Sequence, residues 1–145
     1  MRRSSLRADL YAGATSGRLF LQLPSRRQPA QAPSAPRFDG RILFLEDTGE
    51  KAYRIDRMLV QLRQSGALGR VAGIVFGAIR PLGGEDLERT RIAEFAAEQT
   101  RDLDCPVLFG IEAGHGSENL ALPFGAAVRL EAGARRMVCE DAVVS

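Results

Sequence analysis

The sequence holds a single histidine, His115, in the stretch "GIEAGHGSEN", with glycine on either side. Far upstream, a glutamate, Glu46, closes the apolar run "RILFLE". An imidazole and a carboxylate brought together form an acid–base unit. The carboxylate accepts a hydrogen bond from one ring nitrogen, fixes the tautomer and stabilises the imidazolium, which leaves the other nitrogen as a general base. Gly114 and Gly116 would let the backbone turn sharply at His115 and let a substrate come close. This chemistry suits a hydrolytic triad. A plainer reading stands beside it: an acid at a strand end caps the next helix, and a loop histidine is solvated.

A triad also requires a nucleophile. Ser117 and Thr48 lie two residues beyond His115 and Glu46, and such near neighbours rarely align a hydroxyl with a ring nitrogen at roughly 2.6–3.2 Å. There is no GxSxG elbow. The "GGEDL" stretch at 83–87 lacks the lysine and spacing of a phosphate loop and reads as a helix start. Arg54, Asp56 and Arg57 in "YRIDRML" read as surface charges or intrachain pairs of small energetic weight, with Arg54 or Arg57 able to face a partner domain. Cys105 and Cys139 are isolated thiols outside any CxxC motif. With one histidine and no HExxH spacing, no metal site and no cofactor is expected, and both thiols are expected to be reduced.

Positioning Glu46 and His115 is the work of the elements around them. The runs at 41–46, 71–79 and 106–111 are short, apolar and consistent with buried strands. Between them lie two helical periods. Ile55, Met58, Leu59 and Leu62 fall on one face of the first, and Ile92, Phe95, Ala96 and Leu103 follow the second. Gly66 reads as a helix stop, and "EDTGE" as a turn. Two further strands are expected at 126–131 and 135–140. Strand–helix–strand repeats imply an α/β fold: a small, largely parallel sheet of right-handed βαβ units with a C-terminal strand pair. In such sheets ligands gather beyond the carboxyl ends of the strands, where Glu46 and His115 are both expected.

The chain has 145 residues, 45% apolar and 26% charged, enough for one domain with a core. No apolar run approaches the ~20 residues that cross a bilayer, and the basic N-terminus lacks the apolar segment of a secretory signal. A cytoplasmic protein without membrane contact is expected. Residues 1–38 hold seven arginines and one acid, a net +6, so the rest carries −4 of the overall +2. The segment 23–37 contains four prolines and too few apolar side chains to offset the entropy of ordering. Residues 1–37 are therefore read as a disordered Pro/Arg-rich arm or linker, and residues 38–145 as the domain. The arm has no interleaved aromatics, and no nucleic acid is expected as a partner.

The stretch "GRILFLEDTGEKAYRIDRMLVQLRQSGAL", then "VAGIVFG" and "CPVLFGIEAGHGSENLALPFGAAVRL", closely resembles the C-terminal domain of LD-carboxypeptidases, the muramoyltetrapeptide carboxypeptidase family of serine peptidases. The resemblance covers residues 38–131 through two ordered signatures, LED-x-x-E-x-x-YRIDRML and GHG-x-x-N-x-x-LP-x-G. It implies a two-domain enzyme in which an N-terminal domain supplies a nucleophilic serine and an oxyanion hole. The C-terminal domain would complete a Ser–Glu–His triad with Glu46 and His115. The implied reaction releases terminal D-alanine from a murein tetrapeptide by cutting an L–D peptide bond without a metal. A related branch acts on microcin-type conjugates, and members often dimerise, so self-association is an expectation. The sequence departs from the family pattern over residues 20–35, as a local frameshift would produce, and it shows no serine-bearing domain. The chain is thus expected to be inactive alone. The alternative is a non-catalytic binding or regulatory module of the same fold.

Overall fold

A computed structural model of the chain describes residues 14–22, 38–81, 83, 86–114 and 118–140. The elements are β1 (Ala14–Gln22), β2 (Arg41–Leu45), β3 (Thr48–Glu50), α1 (Ala52–Gln64), β4 (Gly73–Ala78), β5 (Arg80–Pro81), α2 (Asp86–Thr100), β6 (Val107–Gly114), β7 (Ala127–Glu131) and β8 (Arg136–Cys139). Six strands form one sheet in the order β6-β4-β2-β1-β7-β8, and β3 pairs with β5. The first four run parallel, while β7 is antiparallel to β1 and β8 to β7. The fold is the α/β arrangement expected, with an antiparallel pair closing the C-terminal end.

The apolar runs become central strands because both of their faces are covered. In β2, Leu43 and Leu45 face one core, and Ile42 and Phe44 face the other. The crossovers linking β2, β4 and β6 in adjacent order carry both helices, which pack into one core on one face of the sheet. There Ile55, Met58 and Leu59 of α1 and Ile92 and Ala96 of α2 are buried. The start of α1 is capped from a distance. Its N-cap residue, Lys51, makes no side-chain cap bond, and the Ala52 N–H donates instead to Glu88 Oε2 of α2 at 2.9 Å. At the far end Arg63 of α1 donates to the Gln99 carbonyl at 2.9 Å and pairs with Asp102.

Three expectations change. The sheet extends upstream of Phe38: residues 14–22, read as part of a disordered arm, form β1, which lies between β2 and β7. Its apolar run is only three residues long, and its partners lie far away in sequence. Local composition therefore missed what long-range pairing selects. The remainder of the proposed arm, 1–13 and 23–37, lies outside the described residues. "EDTGE" is not only a turn, since residues 48–50 form β3. The third apolar strand runs past residue 111 to Gly114, through an irregularity that bears directly on the site.

Candidate active site

Glu46 follows β2, and Gly114 ends β6. Both strands are parallel to β4, which lies between them. Their carboxyl ends therefore share one sheet edge, although two inter-strand spacings, roughly 10 Å, separate the strands themselves. Two features close that distance.

The first is a bulge in β6. Phe76 pairs with Phe109 and Ala78 with Gly114, so β4 advances two residues while β6 advances five. Gly110, at φ 90°, permits the turn. Extra residues on one strand bend it and redirect its end. Phe109 and Glu112 are exposed, whereas Ala113 returns to the core. The second is Gly77 in β4. A Cβ there would overlap the Phe44 ring and lie 2.8 Å from the Ala113 carbonyl oxygen. The absence of a side chain thus lets the ends of β2 and β6 converge above β4.

Glu46 occupies the space so created. It is 7% exposed, one of two buried polar residues among those described. Its carboxylate lies against Gly114: a Cβ on Gly114 would overlap Glu46 Oε2 and come within 3.0 Å of Cδ. Gly114 is also at φ 104°, a conformation that only glycine adopts without strain. His115 itself lies outside the described residues, as do Gly116 and Ser117, but the chain on both sides is anchored. The Gly114 N–H donates to Asn119 Oδ1 at 3.0 Å, and the Leu120 N–H donates to the Glu112 carbonyl at 2.8 Å. These bonds tie Glu112 and Gly114 to Leu120 and Asn119.

Beyond Asn119 the chain folds back over β2, where the Phe124 ring meets Phe44 edge-on at 5.8 Å. The result is a pocket of about 250 Å³ with apolar walls that include Phe44, Ala113, Leu120, Leu122 and Phe124. Glu46 is the one ionisable group among its described lining residues, which include no hydroxyl or thiol. Leu120 and Phe124 are 57% and 47% exposed. A buried carboxylate in an apolar pocket open on one side can orient and charge-stabilise a base. It cannot by itself attack a carbonyl.

Sequence reasoning found Glu46 and left Asn119 without a role. The position of Asn119, four residues past the histidine in the GHG-x-x-N signature, was the available signal. Sequence reasoning also missed the part of Gly77, a lone glycine in a strand pattern, which is a recognised mark of close backbone approach. Thr48 lies in β3 and does not line the pocket. Among the described residues no helix is long and apolar enough to cross a membrane.

The family model for the LD-carboxypeptidase C-terminal domain matches residues 23–130, beginning upstream of Phe38. The murein tetrapeptide carboxypeptidase of Pseudomonas aeruginosa is 30% identical over 92 residues, 63% of this chain and 30% of that protein. The probable murein peptide carboxypeptidase of Bacillus subtilis is 33% identical over 107 residues, 72% of this chain and 33% of that protein. Among solved structures, muramoyltetrapeptide carboxypeptidase from Oxalobacter formigenes aligns with a TM-score of 0.70 at 28% identity, covering 89% of this chain and 45% of that one. The microcin C7 self-immunity protein MccF shares the fold, with a TM-score of 0.70 at 18% identity over 94% of this chain and 41% of its own. The chain spans about a third of the length of the curated relatives it matches.

Proposed function

The chain belongs to the LD-carboxypeptidase family, in its C-terminal domain, and from that premise we propose that it supplies the acid–base half of a serine hydrolase that releases terminal D-alanine from murein tetrapeptide. Glu46 accepts a hydrogen bond from one nitrogen of His115, and the other nitrogen takes the proton from a serine hydroxyl as it attacks the L–D peptide carbonyl. The imidazolium then returns that proton to the departing amine. The serine and the oxyanion donors come from another domain, and the exposed Leu120–Phe124 rim faces it. The reaction is read as a cytoplasmic one, on a peptide of cell-wall turnover. One observation supports the reading above all others: the buried Glu46 carboxylate is packed against Gly114, the residue that precedes the only histidine.

The test is a chimera in which this domain replaces the matching segment of the Pseudomonas aeruginosa murein tetrapeptide carboxypeptidase, assayed for D-alanine release. The chimera is expected to be active, and the isolated chain silent. His115→Ala and Glu46→Gln should each lower kcat by about 10²–10⁴, the range of a lost general base or of its orienting partner. An active chimera indifferent to both substitutions would sink the proposal. Should the chimera fail to fold, NMR titration of His115 in the isolated chain still decides. Its midpoint should fall in Glu46→Gln, because a neighbouring carboxylate favours the imidazolium. Identical titrations would leave the non-catalytic module as the better reading.

A further inference from the structure

Arg80 lies just past the carboxyl end of β4, in the separate two-stranded β3–β5 sheet. It forms β5 with Pro81, directly after the central strand β4 ends at Ala78. β5 pairs in parallel with β3, with Thr48 opposite Arg80, and the Arg80 N–H donates to the Asp47 carbonyl at 3.1 Å. Thr48 is two residues past Glu46. One strand spacing and two residue rises put the backbones of Arg80 and Glu46 roughly 8 Å apart.

The Arg80 Nε–H has no acceptor among the described residues. Several arginines of the described chain have acids: Arg54 pairs with Glu50, Arg63 with Asp102, and Arg129 with Glu131 and Glu140. Arg80 takes part in no ion pair among the described residues, and its Nε–H is sealed from solvent without an acceptor. An exposed arginine needs no partner because water serves it. Leaving a sealed N–H of a charged group without its hydrogen bond is costly, and such a group in a native fold calls for an explanation. Part of the residue remains open to solvent.

We propose that Arg80 is the carboxylate-binding residue of this site, taking the free terminal carboxylate of the peptide whose last bond is presented to the Glu46 edge. This rests on the hydrolase reading above and deepens it. An enzyme that removes only the last residue must recognise the free chain end, and a planar guanidinium does so with two parallel hydrogen bonds. In a peptide, the carbonyl to be cut and the terminal carboxylate are separated by about one residue, ~3.8 Å. Arg80 does not line the Glu46 pocket itself, but side chains on two backbones that close are long enough to span that separation. The role is one of positioning and specificity: Arg80 selects the chain end and sets which carbonyl meets the base.

The test is an NMR titration of the ¹⁵N-labelled full chain with murein tetrapeptide and with its C-terminal amide. The acid is expected to bind about tenfold more tightly than the amide, the lower end of what a charge-assisted contact supplies. That preference should vanish in Arg80→Gln and survive in part in Arg80→Lys. If Arg80→Gln does not fold, competition in the wild type takes its place: N-acetyl-D-alanine should displace the peptide and N-acetyl-D-alaninamide should not. Equal binding of acid and amide to the wild type, or a preference that survives Arg80→Gln, overturns the proposal. Peptide-induced shifts at the Gly114 and Asn119 amides with that preference intact in Arg80→Gln would leave the hydrolase reading standing without Arg80. An Arg80-dependent preference, with a chimera indifferent to Glu46 and His115, would do the reverse.

Discussion

Gly114→Ala tests the geometry on which the site reading depends, because the new methyl group is opposed in two independent ways. At φ 104° an L-residue is held in a sparsely populated region, at a cost of about 1–3 kcal/mol. The added Cβ would also overlap the Glu46 carboxylate, which must swing off its rotamer for a further ~0.5–1.5 kcal/mol. The sum is about 2–4 kcal/mol, or a fall in Tm on the order of 10 °C for a domain of this size. Urea unfolding of wild type, Gly114→Ala, Glu46→Ser and the double variant separates the two parts. Shortening Glu46 removes the overlap and leaves the backbone strain. The cycle should therefore give a coupling of about 1 kcal/mol, with Gly114→Ala less damaging in the Glu46→Ser background. A coupling within about 0.3 kcal/mol of zero would mean that the carboxylate does not lie against residue 114, and the argument that joins Glu46 to the histidine loop would fall.

Gly77→Ala should be at least as damaging, because its methyl group meets a backbone carbonyl as well as the Phe44 ring; overpacking of this kind costs about 1–3 kcal/mol, and unchanged urea unfolding would refute the convergence of β2 and β6 above β4. Burial, aided by the neighbouring Asp104 charge, raises the Cys105 thiol from its ordinary 9.0 to about 11, leaving about a hundredfold less thiolate at neutral pH. Ellman titration of the folded chain should therefore show Cys105 reacting only on unfolding, and a fast reaction in a Cys139→Ser variant would show the burial to be wrong.

What the sequence made legible follows from how local each signal is. Ile55, Met58 and Leu59 share a helical face because their spacing alone dictates it, and the helix buries them as that spacing requires. The run at 41–46 reads as a strand because each face of a central strand needs apolar side chains. Glu46 stood out because it interrupts that run where a parallel sheet binds ligands. By contrast β1, the bulge in β6 and the capping of α1 by Glu88 depend on partners dozens of residues away, and no window of sequence contains both halves of such a contact. The same limit explains Gly77. In its own segment it is only a weak strand residue, and its purpose appears once Phe44 and Ala113 are seen to occupy the volume of its missing side chain. Glycine at 77 brings the two strand ends together, and glycine at 114 leaves room for the carboxylate that results. Restoring a side chain at either position would separate Glu46 from the histidine loop without touching an ionisable group. In the active chimera, Gly77→Ala and Gly114→Ala are therefore expected to lower kcat beyond any loss explained by the folded fraction.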